Sequence, residues 1–391
     1  MNLMKKVRIG MVGAGFISRI HLEAYKRVYG LQASVEAVCA RSAGTKDFAA
    51  AYGIPKVYSD YHDLMKDPDI DVVDICTPPQ LHAVMIEEFL SAGKHVISEK
   101  PFTGYFGAPG DVQPVGKVCK QKMYDAVLEG MERTADIVRK SGRLFCYAED
   151  WVYAPAVAKA SEILKKTRDK ILFLKAEESH SGSHAWHAAE WARTGGGSMI
   201  RQGCHPLSAV LHLKKTEAEA RGEAFSVESV VCDTGVVTEK LTKEERRFIA
   251  ANPVDVEDWS MLSLTFGDGT KATVFSGDFV TGGVRNLIEF NTNTGTLVCN
   301  IAPNNGMMTY AADASVLKDV YLTEKVETTA GWQYVLLDEE SARGYLQEAQ
   351  DFMECVATGR QPLSGLDLAY ETIRITYAGY LSAEKGARVK L

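Results

Sequence analysis

Several features are missing from this sequence. The eight cysteines (positions 39, 76, 119, 146, 204, 232, 299 and 355) include no CxxC pair. Their spacing therefore supplies neither a zinc ribbon nor a redox dithiol, and those in apolar runs read as small buried hydrophobes kept reduced. No uninterrupted apolar run approaches the ~18 residues of a membrane span. There is no basic block, and Asp+Glu 51 against Lys+Arg 44 leaves a net charge of −7. That balance argues against nucleic acid or a membrane surface as partner. Residues 1–6 run straight into a strand-like stretch with no apolar leader or cleavage site, so the expectation is a cytoplasmic protein. Internal repeats and low-complexity tracts are absent too.

What is present is an ordinary globular composition, 46% hydrophobic and 24% charged over 391 residues. At about 150 residues per domain this is a length for two or three domains. In the first third, apolar strand-like runs (7–12, 35–39, 71–76, 95–98, 144–147) alternate with helical patterns. The helix at 43–52 is closed by Gly53, one face of the next carries His82, Met85, Ile86, Phe89 and Leu90, and a long one covers 117–140. Strands alternating with helices of this length predict a doubly wound parallel sheet, covered on both faces, with ligands at the carboxyl ends of its strands. After about residue 150 strands follow one another: 171–179, 226–237, 259–266, 270–276, 285–291 and 295–301. Asp268-Gly269 and Thr294-Gly295 sit between neighbouring runs as hairpin turns. The pattern predicts an α+β domain with an open, mainly antiparallel sheet, ending in two amphipathic helices. The expected division is 1–150 and 151–391, with an inserted stretch at 102–116.

Gly10-Met11-Val12-Gly13-Ala14-Gly15-Phe16-Ile17-Ser18 follows the first strand and opens the first helix. Gly13 permits a tight turn, Gly15 lets a pyrophosphate approach the backbone, and the helix amino terminus offers unpaired N–H groups and positive dipole. Ser18 stands where a third glycine is usual and is small enough to keep helix and strand close. The second strand ends in Cys39-Ala40-Arg41-Ser42, without the carboxylate that commonly holds the ribose of NAD. Ala40 and Arg41 therefore allow a 2′-phosphate, and the cofactor is read as NAD or NADP.

These residues resemble the glucose–fructose oxidoreductase/inositol dehydrogenase/rhizopine-catabolism (Gfo/Idh/MocA) family. The likeness runs through Gly13-Ala14-Gly15-Phe16-Ile17 with His21, Ile75-Cys76-Thr77-Pro78-Pro79 with His82, and Glu99-Lys100-Pro101. It continues in Gly195-Gly196-Gly197, Gly203 and His205, and in Tyr377-Ala378, Ser382-Ala383, Gly386 and Val389. The resemblance implies a Rossmann domain followed by an α/β domain whose open sheet often forms an oligomer interface. It also implies NAD(P)-linked oxidation or reduction of sugars or polyols, in a homo-oligomer. Thr77, Pro78, His82, Glu99 and Lys100 join the cofactor candidates.

Lys100, just past a strand's carboxyl end, is placed to polarise the reacting oxygen. His205 suits the proton, because an imidazole titrates near neutrality. The family commonly carries Asp four residues before this histidine, and here that place is Arg201. A guanidinium accepts no hydrogen bond and depresses the pKa of nearby cations. The expectation is a neutral His205, with either Arg201 facing the substrate or the usual proton relay altered. His180, His184 and His187 fit no tight metal spacing, so no metal is expected. Trp186 and His187, with Trp151 and Tyr153 at the start of the second domain, are read as lining a sugar pocket. The insertion 102–116, rich in Gly, Pro and aromatics, is read as a lid or a subunit contact.

The sequence thus predicts hydride transfer between a secondary hydroxyl and nicotinamide, with the C3 hydroxyl of a glycoside as the narrower form. Two rivals are a redox-neutral glycosidase working through transient oxidation and a non-catalytic sugar- or dinucleotide-sensing regulator. If Arg41 and Ser42 receive a 2′-phosphate, titration will show a lower Kd for NADP than for NAD; a large preference for NAD overturns that reading.

Overall fold

The computed structural model describes residues 5–183, 185–302 and 306–391. In chain order, the first part consists of β1 (Lys6–Val12), α1 (Phe16–Lys26), β2 (Gln32–Cys39), α2 (Thr45–Tyr52), β3 (Lys56–Tyr58) and α3 (Tyr61–Lys66). Then come β4 (Val72–Ile75), α4 (His82–Ser91), β5 (His95–Glu99), α5 (Lys120–Ser141) and β6 (Phe145–Ala148). The middle of the chain gives α6 (Pro155–Thr167), β7 (Ile171–Ser179), α7 (Trp191–Thr194), α8 (Ser198–Arg201), α9 (Cys204–Arg221), β8 (Val227–Gly235), β9 (Trp259–Phe266), β10 (Lys271–Gly277), β11 (Arg285–Thr292) and β12 (Thr296–Asn300). The tail holds β13 (Met308–Ala311), β14 (Gly331–Tyr334), α10 (Glu339–Arg343), α11 (Tyr345–Thr358), α12 (Leu366–Lys385) and β15 (Val389–Lys390).

The first sheet has the order β3-β2-β1-β4-β5-β6, all parallel. Its central strands are mostly apolar because helices cover both faces; every residue of β4, Asp74 included, is buried. The strand order reverses between β1 and β4, which opens a crevice at their carboxyl ends. The three-residue β3 has no apolar alternation of its own, and the sequence pattern does not reveal it.

The second sheet has the order β12-β11-β7-β10-β9-β8-β15. All its pairs are antiparallel except β7 with β10. The two expected hairpins join β9 to β10 and β11 to β12. One face packs on α8, α9 and α12. The other leaves Leu172, Phe173, Met261 and Val298 exposed.

The tail does not stay with the second sheet. Phe352 and Met353 of α11 share a core with Val7, Ile9 and Met11 of β1. Meanwhile α12 lies between α5 and β8. The insertion is pinned to its own chain rather than free above the crevice. Phe102 and Tyr105 are buried. Trp191 Nε1–H donates to the Tyr105 carbonyl (3.1 Å), and the Gly116 N–H donates to Asp255 Oδ2 (2.8 Å). The Tyr377 hydroxyl accepts from the Tyr105 N–H and donates to the Gly195 carbonyl (2.7 Å). Insertion, glycine run and last helix thus meet at one phenol.

Tyr377→Phe leaves that N–H and that carbonyl buried and unpaired, and should cost about 2 kcal/mol of stability. Urea unfolding measures it; an unchanged midpoint would show that the strap is held by packing alone.

Candidate active site

The glycine turn fits a dinucleotide. Gly13 has φ +119°, and a Cβ there would lie 2.4 Å from the Cys76 carbonyl oxygen. Its N–H donates to the Cys39 carbonyl (2.9 Å), which locks the turn between three strand ends. At Gly15 a Cβ would meet no heavy atom within 4 Å, so the backbone at the start of α1 stays open to an approaching phosphate. Ser18 is fully buried, and its Oγ accepts from the Gly15 N–H (3.3 Å). Phe16 and Arg41 are exposed at the rim, as is Pro78, while Ile17, Ala40 and Thr77 are half-buried.

Two cofactor candidates act from behind instead. His82 is fully buried and joins the Thr77 carbonyl to the Pro101 carbonyl, each at 2.8 Å. It therefore couples the turn after β4 to the lysine turn without reaching the crevice. Glu99 is likewise buried, with His21 Nε2 at 3.2 Å from Oε1 and the Lys100 N–H donating to Oε2 (3.0 Å). On its other side His21 Nδ1 meets Asp74 at 2.9 Å. Burial opposes a charge on His21, but the Asp74 carboxylate prevails and raises its pKa well above the ordinary value. The imidazolium is thus a strut between β4 and the end of β5.

Lys100 follows β5, and its peptide to Pro101 is cis. Nζ donates to the Arg201 carbonyl at 3.1 Å. Burial acts against the ammonium, but Cys204, Glu99, Glu178 and Asp150 more than offset it and the pKa rises. His205, in the first turn of α9, is buried, with Nδ1 at 2.6 Å from Glu149 Oε1 and 3.1 Å from Asp150 Oδ1. Here too burial opposes the charge; Glu149 overcomes it, and the pKa is raised well above the usual histidine value despite Lys100. The expectation of a neutral His205 is therefore corrected. The orienting carboxylate comes from the end of β6, in the other sheet, rather than from four residues upstream.

Arg201 does not face substrate as expected. Its Nη2 pairs with buried Asp278, which also receives Gln202 Nε2. The guanidinium is drawn to a carboxylate on the far side, and what it presents to Lys100 is its backbone carbonyl. His180, next to this pair, accepts the Gly182 N–H on Nδ1 (2.9 Å). Burial, together with Lys325, Arg201, Arg343 and Lys100, pushes its pKa down to about 2, so it stays neutral.

The aromatic candidates are also redistributed. Trp151 is buried and stacks on His205, with centroids 6.0 Å apart and planes at 15°. It backs the imidazole and is not available to a sugar face. Tyr153 is buried too; its hydroxyl donates to Asp351 (2.8 Å) and accepts from the Ser364 N–H (2.9 Å). That makes it a tie to α11, remote in function from the pocket. His187 is half-buried within the turn Trp186–Ala189, where burial lowers its pKa. The Trp186 side chain and His184 lie outside the described residues.

Glu149, Asp150 and Glu178 were missed from sequence. A signal existed for the first two, since Ala148-Glu149-Asp150-Trp151 places consecutive acids at the carboxyl end of a parallel strand. Burial pushes the Glu178 carboxyl up to about 7, against the pull of His205, Lys100 and Arg343.

Two family models match this chain. One is described as "Oxidoreductase family, NAD-binding Rossmann fold" and covers residues 7–124. The other is described as "GFO/IDH/MocA C-terminal domain" and covers 170–298. The chain belongs to the Gfo/Idh/MocA family. Among relatives, the uncharacterized oxidoreductase YrbE of Bacillus subtilis is 36% identical over 100 residues, 25% of this chain and 29% of YrbE. Myo-inositol 2-dehydrogenase of Thermotoga maritima is 23% identical over 388 residues, 98% of each chain. The solved structure of GenD2, from gentamicin A biosynthesis in complex with NAD, has the same fold. It superposes with a TM-score of 0.79 at 18% identity, covering 100% of this chain and 98% of GenD2. In this member of the Gfo/Idh/MocA family the carboxylate partner of His205 is Glu149.

Glu149→Gln removes the charge that raises His205. Its pKa, followed by NMR, should fall, so the ring loses its proton at a lower pH than in the wild type. An unshifted titration would remove Glu149 from this role.

Proposed function

We propose that this protein is an NAD-dependent dehydrogenase acting on a secondary hydroxyl of a sugar or polyol. One observation carries the reading. Lys100, just past β5 of the parallel sheet, and His205, in the first turn of α9, meet at the carboxyl ends of β5 and β6, joined through the 3.1 Å bond from Lys100 to the Arg201 carbonyl and the bond from His205 to Glu149. The whole-length likeness to a myo-inositol 2-dehydrogenase supports the substrate class.

Gly13, Gly15 and the first turn of α1 would hold the dinucleotide, whose nicotinamide supplies a hydride acceptor when bound. The chain's own residues handle the proton. His205 Nδ1–H is committed to Glu149, so proton exchange with the substrate falls to Nε2. At rest the ring is protonated, which suits donation to a ketone in the reducing direction. Oxidation needs the neutral ring, so its rate rises with pH through the raised His205 pKa. Lys100 keeps its ammonium throughout. One N–H is used by the Arg201 carbonyl, and the others can bond the carbinol oxygen and stabilise negative charge developing there.

The narrower reading, the C3 hydroxyl of a glycoside, drew on Arg201, the insertion and the aromatic-rich loop before the glycine run. Arg201 is held by Asp278 and the insertion packs internally, so the proposal rests at the sugar or polyol level. The exposed Leu172, Phe173, Met261 and Val298 on the outer sheet face support pairing of copies through that sheet.

A panel of polyols, sugars and glycosides, assayed with NAD for reduced nicotinamide, tests the function. Lys100→Met and His205→Gln should each lower kcat/KM by about 100-fold or more while NAD still binds. No reduction of NAD with any compound, or full activity in both variants, refutes the proposal. A redox-neutral glycosidase would instead release aglycone without net accumulation of reduced nicotinamide.

A further inference from the structure

The inner face of the second sheet is apolar in register until its last row. Ile288, Ala176, Val274 and Leu262 form one cross-strand row of buried hydrophobes. The next inward row, two residues along each strand, is Asn286, Glu178, Ser276 and Ser260. All four are buried. The serines satisfy each other (2.7 Å), and Ser276 reaches Ser198 (3.4 Å). The other two are left open. Asn286 is 2% exposed and neither its Oδ1 nor its Nδ2 has a partner; Glu178 is 7% exposed and its Oε2 has none.

Residues directly opposite on antiparallel strands have Cβ atoms about 5 Å apart. An amide and a carboxyl at that separation could bond each other, and here they do not. A buried polar group without a partner is costly, and an isolated instance calls for an explanation. Two adjacent ones at the reacting end of the sheet point to a ligand. The charges that act on the Glu178 carboxyl are those of His205 of α9, Lys100 after β5, Arg343 of α10 and Asp150 after β6. Arg343 is itself 8% exposed with an unpartnered Nε. The turn carrying it is set against the Asp150 turn by Gly344, where a Cβ would lie 2.2 Å from the Asp150 carbonyl oxygen.

We propose that Glu178 and Asn286 form a shelf that binds two neighbouring hydroxyls of the substrate, beside the carbinol held by Lys100 and His205. The amide offers one donor and one acceptor, and the carboxyl accepts a second hydroxyl; a vicinal diol satisfies all three atoms at once. The shelf selects polyols by leaving its buried groups unpaired when a hydroxyl is missing. This inference rests on the dehydrogenase reading of the same site.

The test uses the full chain with NAD and three probes: myo-inositol, methyl β-D-glucoside and levoglucosan. Asn286→Leu and Glu178→Gln should raise KM for the oxidised probe by about tenfold or more, with a smaller fall in kcat. Asn286→Leu should also raise the Tm of the dinucleotide-free protein, because it removes an unpaired buried amide. A structural or water-filled role would lower that Tm instead. Unchanged KM in both variants, or a lowered Tm with unchanged KM, overturns the shelf alone. No turnover of any probe by the wild type overturns the dehydrogenase reading and the shelf with it.

Discussion

The contact on which the site depends is the bond between the His205 ring and the Glu149 carboxylate, 2.6 Å long and buried. It links the first helix turn behind the glycine run to the last strand of the parallel sheet. It decides the tautomer, because Nδ1 must carry its proton, and it decides the charge, because a carboxylate in a poorly solvated place favours an imidazolium. Trp151 lies flat against the same ring, so the imidazole is fixed in plane as well as in direction. Asp150 beside Glu149 strengthens the field. Lys100 opposes it, yet is itself retained as an ammonium by the surrounding acids. The result is a set of mutually dependent charges, in which removing one member alters the protonation of the others.

Much of this was legible in the sequence for a simple reason. Parallel strands buried on both faces leave continuous apolar runs, and a phosphate turn leaves glycines, so the first sheet and its crevice could be read locally. The lysine and histidine could be named from their motifs. Their surroundings could not. Arg201 stands where a carboxylate is usual, and sequence logic made it the neighbour that sets His205. In space the guanidinium is captured by Asp278, just past β10 of the second sheet, and the carboxylate role passes to Glu149, just past β6 of the first. The error is one of distance: residues 149 and 205 have no local relation, and only the packing of two sheets makes them partners.

Trp151 and Tyr153 are placed away from the expected pocket for a related reason. Trp151 and Tyr153 follow a strand end near the crevice, but tryptophan and tyrosine bodies are mostly buried for packing. Each found a partner inside the protein, Trp151 on His205 and Tyr153 on Asp351. Glu178 has no place in the sequence reading, although strand alternation puts it on the same face as Leu174 and Ala176; register and burial then place that face inward.

The return of α11 to the parallel sheet has an effect on how this molecule can be divided. The core formed by Val7, Ile9 and Met11 is completed by side chains from near the far end of the chain. The strands of the dinucleotide-binding half therefore leave the ribosome before α11, which supplies one of their walls. The apolar side chains of the strand that leads into the glycine turn gain their last covering only when α11 docks on them.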